Sequence, residues 1–129
     1  MGATILIVDD NAQLRAMIRM ISAQQPALHV VGEAEDGAEA IRLAHQLRPD
    51  IVLMDFVMPR VSGLEAMRRI KMDLPETKVI IMTVHTEEAY RRAAEASGTD
   101  AFLLKRTLMT ALLPTIRRIR SCMSPPNTP

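Results

Sequence analysis

Five short apolar runs, at residues 5–8, 30–32, 51–54, 79–82 and 101–104, recur roughly 25 residues apart and constrain the fold more than any other feature of the chain. Several are apolar at consecutive positions. A half-exposed strand alternates, so an unbroken apolar run predicts a strand buried on both faces, as in a parallel sheet covered by helices. The segments between them supply such helices. Leu14, Met17, Ile18 and Ile21 fall on one helical face, as do Ala38, Ile41, Ala44 and Leu47, then Leu64, Met67 and Ile70, and later Met109, Leu112, Leu113, Ile116 and Ile119. A fourth helix, over 87–97, has only Ala89, Tyr90, Ala93 and Ala94 as its apolar positions, which predicts thin packing. Turn residues at Asp36-Gly37, Pro49-Asp50, Pro59, Ser62-Gly63, Pro75 and Ser97-Gly98 punctuate the series. Strand then helix, five times, is a (βα)5 unit. With right-handed crossovers it gives an α/β fold, an open doubly wound five-stranded parallel sheet with helices on both sides.

A chain of 129 residues fits one domain. We assign it to residues 1–120, and read 121–129, ending Ser124-Pro125-Pro126-Asn127-Thr128-Pro129, as a Pro-rich disordered tail or truncated linker. Sixteen basic and fifteen acidic residues leave a formal charge of +1, which argues against bulk nucleic-acid or membrane binding. The first apolar run is too short for a signal-peptide core or a membrane span. The lone Cys122 cannot close an internal disulfide, so the cytoplasm is the expected setting. With three aromatic residues (Phe56, Tyr90, Phe102), the core must rest on aliphatic side chains and some of the ten Met.

In open α/β sheets, ligands bind beyond the carboxyl ends of the strands. At or just past those ends stand Asp9 and Asp10, Asp55, Thr83 and Lys105. Three carboxylates brought to one edge repel one another, by about 4 kcal/mol per pair at ~4 Å and an effective dielectric near 20. A hard divalent cation with oxygen ligands answers that crowding, and Mg2+ suits a site of one or two carboxylates completed by phosphate and water. The second strand ends in Val31, Gly32 and Glu33 with no matched polar group, as expected at a sheet edge. Each residue also has a plainer reading. Asp9-Asp10-Asn11 could be a turn and helix cap, Asp55 turn chemistry, Thr83 a β-branched strand residue and Lys105 a solvated lysine. Their joint placement weighs against that. His29, His45 and His85 are too scattered for a metal cluster, and the basic groups Arg68-Arg69, Arg91-Arg92 and Arg117-Arg118-Arg120 read as solvated helix faces.

The ordered set Ile5-Leu6-Ile7-Val8-Asp9-Asp10, Leu53-Met54-Asp55-Phe56-Val57-Met58-Pro59, Ser62-Gly63, Thr83-Val84-His85 and Phe102-Leu103-Leu104-Lys105 resembles the response-regulator receivers of two-component systems, over about residues 4–120. The resemblance implies a flavodoxin-like sheet of order 2-1-3-4-5 and a phosphoacceptor function. On it, Asp55 is the nucleophile that accepts a phosphoryl group from a sensor histidine kinase or phosphotransfer protein. Asp10, Asp55 and the backbone carbonyl of Val57 hold Mg2+, with Asp9 acting from behind them. Lys105 and Thr83 steady the phosphoryl oxygens. The resemblance further implies that Thr83 and Phe102 act as a switch that reshapes the surface of the fourth helix, fifth strand and fifth helix, with a phosphorylation-dependent homodimer as one outcome. No enzymatic turnover is expected beyond self-catalysed phosphoryl transfer and autodephosphorylation, and no direct contact with nucleic acid or membrane.

The chain departs from the commonest receiver pattern at two positions. Arg106 stands where many receivers carry proline, and Val84 is bulkier than the usual Ala or Gly. Together with His85 these features resemble NarL/FixJ-type receivers, so the chain reads as the N-terminal part of a DNA-binding transcriptional regulator, with a stand-alone receiver or phosphate shuttle as the alternative. Two other functions fit the fold less well. A haloacid-dehalogenase-like phosphatase needs a second acid where Val57 stands, and a flavodoxin-type FMN carrier needs a first loop that welcomes phosphate, which Asp10-Asn11 would repel.

Overall fold

The computed structural model describes residues 2–58 and 61–122. Along the chain run β1 (Ala3–Val8), α1 (Ala12–Ser22), β2 (Leu28–Ala34), α2 (Gly37–Leu47), β3 (Ile51–Asp55), α3 (Gly63–Asp73), β4 (Lys78–Thr83), α4 (Glu88–Ala96), β5 (Ala101–Leu104), a 3-10 turn (Lys105–Thr107) and α5 (Leu108–Ser121). The strands form one parallel sheet in the order β2-β1-β3-β4-β5. That is the flavodoxin-like (βα)5 arrangement expected from the sequence. Pro59 and residues 123–129 lie outside the described residues, and α5 runs on to Ser121, one residue into the segment read as tail.

The apolar runs are unbroken because each central strand feeds two cores. Ile5, Ile7, Leu53, Ile80, Met82 and Leu103 pack with α1 and α5 on one face. Leu6, Val8, Val52, Met54, Val79 and Ile81 pack with α2, α3 and Ala94 of α4 on the other. Ala94 is the one fully buried residue of α4, and no side chain caps that helix, so its hold on the sheet is thin, as the small residues predicted. Three other helices start on side-chain caps. Asn11 Oδ1 accepts from the N–H groups of Gln13 and Leu14 at 2.9 and 3.1 Å, Asp36 from Glu39 at 2.8 Å and Ser62 from Glu65 at 3.2 Å. Asn11 is therefore the cap of α1, which leaves Asp9 and Asp10 for other work.

Register decides what meets at the carboxyl edge. Val8 lies opposite Met54, so Asp9, next in the chain, comes level with Asp55. Asp55 pairs with Met82 and Thr83 with Leu104, which brings Thr83 and Lys105 one step further out along their strands. Gly63, at the start of α3, then folds back onto β3. Its N–H donates to the Phe56 carbonyl at 3.0 Å, and a Cβ there would stand 2.0 Å from the Asp55 carbonyl oxygen. Only glycine permits that approach. Gly63→Ala is expected to destabilise by about 1–3 kcal/mol, since the added methyl must push the Asp55 backbone aside. Gly98→Ala, which meets nothing within 4 Å but sits at φ +95°, should cost only about 1 kcal/mol. Melting curves of both variants check the contrast.

Candidate functional site

The carboxylates of Asp9, Asp10 and Asp55 each place an oxygen within 4.8 Å of the others. Asp9 is wholly buried. Its Oδ1 accepts the Asn11 N–H at 2.9 Å, and its Oδ2 lies 2.7 Å from Lys105 Nζ. The same ammonium stands 3.2 Å from Asp55 Oδ1, which also accepts a long 3.4 Å bond from the Val57 N–H. Lys105 thus bridges two acids from different strands. It supplies one of the positive charges that the sequence placed at this edge. Three carboxylates facing one ammonium still leave negative charge in excess.

That imbalance falls on Asp55. Burial, first, and the neighbouring Asp9 charge push its carboxyl from 3.8 up to about 6, while Lys105 and the Val57 N–H pull the other way. For Lys105, burial favours the neutral amine, but the bond to Asp9 and the charges of Asp55 and Asp9 outweigh it and hold the ammonium above its ordinary range. Asp10 is exposed at the mouth of the cluster. Thr83 is buried, and its hydroxyl accepts from the His85 N–H at 3.0 Å, which leaves the hydroxyl hydrogen free to donate.

The structure brings together Asp9, Asp10, Asp55 and Lys105, and places Thr83 at the end of the strand beside Asp55. Val57 is 56% exposed and Val84 69%. Phe102 is half-buried, with the Arg91 guanidinium 4.9 Å from its ring centre. His85 stacks on Tyr90 at 4.2 Å, and Phe56 meets the same ring edge-on at 5.0 Å. His29 and His45 are exposed.

One part of the site escaped the sequence reading. The strand β2 continues through Glu33, which is not idle. It receives the guanidinium of Arg15 at 2.7 Å and that of Arg19, while Arg15 Nη1 donates to the Asp9 carbonyl at 2.7 Å. An arginine in the first turn after an acidic loop, with a glutamate ending the adjacent strand, was the available signal. Nothing in their spacing along the chain says they meet.

The sequence and the fold match known proteins. The model of the response regulator receiver domain fits residues 5–117. Response regulator protein VraR of Staphylococcus saprophyticus is 37% identical over 118 residues, covering 92% of this chain and 56% of that protein. A two-component response regulator of the LuxR family from Aurantimonas sp. superposes with a TM-score of 0.89 at 32% identity, over 95% of this chain and 88% of that one. The response regulator domain of Thermotoga maritima CheB does so with a TM-score of 0.85 at 33% identity, over 97% and 100%. The chain spans about half the length of the curated relatives it matches. Among the described residues, no helix is long and apolar enough to cross a membrane. Sheet order, the acidic cluster bridged by a strand-end lysine, and these matches agree, and the chain belongs to the response regulator receiver domain family.

Proposed function

We propose that this receiver accepts a phosphoryl group on Asp55 in a Mg2+-dependent reaction, from a sensor histidine kinase or a phosphotransfer protein. The observation that carries the reading is the meeting of Asp9, Asp10 and Asp55 within 4.8 Å, with Lys105 bridging Asp9 and Asp55. An all-oxygen donor set with excess negative charge fits a hard divalent cation and not a soft one. Asp10, Asp55 and the Val57 carbonyl would hold the ion, with Asp9 behind them fixing Lys105. When bound, Mg2+ supplies the positive charge that offsets crowded carboxylate and phosphoryl oxygens.

The residues then divide the work of the transfer. An Asp55 oxygen attacks phosphorus in line as the N–P bond of the donor phosphohistidine breaks, giving an acyl phosphate and a free imidazole. Lys105, already within reach of Asp55, turns its ammonium to the phosphoryl oxygens while keeping Asp9. Thr83 donates its free hydroxyl hydrogen to one of them. Thr83 and Phe102 form the switch, and movement of the Phe102 ring would break its contact with Arg91 and alter the α4-β5-α5 surface. That surface would bind partners, a second phosphorylated copy among them. The protein is a signalling switch in the cytoplasm, with no substrate turned over beyond its own phosphoryl group.

The direct test is intact mass after treatment with acetyl phosphate and Mg2+. Wild type should gain one phosphoryl mass and Asp55→Asn none. A gain in both proteins would overturn the site assignment. The exposed, apolar Val57 cannot align a water for hydrolysis, so the phosphoform should persist well beyond seconds. Loss of the added mass within seconds of removing donor would count against that role for Val57.

The output rests on relatives. The matched stretch is 56% of VraR, and a LuxR-family response regulator from Staphylococcus aureus described as DNA-binding superposes with a TM-score of 0.83 at 27% identity; both support reading this chain as the N-terminal part of a DNA-binding transcriptional regulator. This domain itself would not touch the DNA. The gene sequence following the codon for Pro129 tests the reading: a helix-turn-helix domain supports it, and a stop codon favours a stand-alone shuttle.

A further inference from the structure

The β1–α1 loop carries Asp9 and Asp10, and one side chain from outside the acidic cluster holds its backbone. Arg15 is 14% exposed. Its Nη1 donates to the Asp9 carbonyl at 2.7 Å and its Nε to Glu33 Oε1 at 2.7 Å. Arg19, one turn further on, donates to the other Glu33 oxygen. The bond from Arg19, against the cost of burial and joined by Arg15, holds the Glu33 carboxyl below the usual carboxylate range, so it stays ionised.

We propose that Arg15, anchored by Glu33, is a positioning residue for the cation site: it fixes the Asp9–Asp10 peptide and so aims Asp10 at the ion. The inference rests on the Mg2+ reading above and adds two residues to it. The Asp9 carbonyl lies in the rigid peptide plane that joins Asp9 to Asp10, so the orientation of that plane sets where the Asp10 side chain departs. The rest of Asp9 is already fixed, its N–H on the Ala34 carbonyl at 3.0 Å and its Oδ1 on the Asn11 N–H. Among the described residues no hydrogen bond holds the Asp10 side chain itself, so its placement depends on the backbone behind it. Arginine suits this position because its planar fork reaches two acceptors at once, which an ammonium on a flexible stem does less well. Glu33 completes the device. A guanidinium bonded to the backbone of the acidic cluster would otherwise act as a counter-ion competing with the metal, and Glu33, which it shares with Arg19, offsets part of that charge.

Charge and geometry predict opposite signs, which makes the inference testable. If Arg15 acted only through its charge, deleting it beside three carboxylates would tighten Mg2+ binding. If it positions Asp10, Arg15→Met weakens binding by about tenfold, the lower end of what supporting residues around metal ligands contribute. The experiment titrates the full chain with Mg2+ by calorimetry, and with Mn2+ by electron paramagnetic resonance, in wild type, Arg15→Met, Glu33→Gln and Asp55→Asn. Melting in EDTA is measured alongside. Arg15→Met should lose affinity at low and high salt alike. Glu33→Gln keeps an acceptor for Arg15 but leaves its charge bare, so its smaller loss should fade as salt is raised. Should Arg15→Met be too unstable to titrate, Arg15→Gln, which keeps one donor, takes its place with the same expectation. Unchanged or tighter binding in the Arg15 variants, whatever their melting temperature, overturns the inference and leaves the Mg2+ reading standing. A wild type that binds no Mg2+, or binds it undiminished after Asp55→Asn, overturns that reading and the inference with it.

Discussion

Replacing Lys105 by methionine should lower the melting temperature of the metal-free protein by roughly 10 °C or more. Asp9 is wholly buried and Asp55 only 6% exposed, and Lys105 lies 2.7 and 3.2 Å from them. Removing one partner of a buried ion pair leaves an uncompensated charge, which costs about 3–5 kcal/mol. Methionine keeps most of the apolar stem, so the loss reports the charge and not a cavity. For a domain of this size, ~1 kcal/mol corresponds to about 3–5 °C. Two conditions should rescue the variant more than wild type. Mg2+ would supply the missing positive charge, and acidification to about pH 5 would protonate Asp55, whose carboxyl already sits at about 6 with the lysine present. Thermal melts in EDTA, in Mg2+ and at low pH check this. Equal melting of variant and wild type in EDTA would mean that Lys105 does not balance the acids.

Asp55→Asn should do the reverse and stabilise the metal-free fold while abolishing phosphoryl uptake. The Asp55 carboxyl is raised from 3.8 to about 6, burial being the main cause and the Asp9 charge the next. A raised acid pKa in the folded state means that folding favours the protonated form. Its contribution is fully present below about pH 4, is lost as pH rises through about 6, and above that the ionised wild type carries the whole penalty. Two pKa units at about 1.4 kcal/mol each give roughly 3 kcal/mol, or about 10 °C. Asparagine carries no charge at any of these pH values and still offers an oxygen to Lys105 and the Val57 N–H. The advantage of the variant should therefore be small near pH 4.5, grow through pH 6 and level off by about pH 7. Melts of both proteins in EDTA across that range measure it. A difference independent of pH, or a variant that melts below wild type at pH 8, would show that Asp55 is not held under electrostatic strain. Both results together would place Asp55 in the usual stability–activity conflict of a functional site.

The fold was legible because its signals are local. Unbroken apolar runs of four residues such as 51–54 and 79–82, set between turn residues, fit strands covered on both faces, and the three-and-four spacing of Leu14, Met17, Ile18 and Ile21 fits an amphipathic helix. The thin face of α4 was equally readable from its alanines. Pro114 was not a readable end of α5. It lies inside the helix, which continues past it because Leu112, Thr115, Ile116 and Ile119 are buried on both sides of the ring. Packing across that face outweighs the hydrogen bond the proline removes.

By itself the sequence determined the order of strands and helices, the residues standing at the strand ends, and the excess of acid among them. Only the tertiary structure decided which of those residues touch. The level pairing of Asp9 with Asp55, the double bridge of Lys105 and the grip of Arg15 on the Asp9 carbonyl join residues on different elements, some far apart in the chain, through register and helix docking. The raised carboxyl of Asp55 belongs with them. It comes from burial and from a neighbour 46 positions away in the chain, and neither exists until the chain has folded.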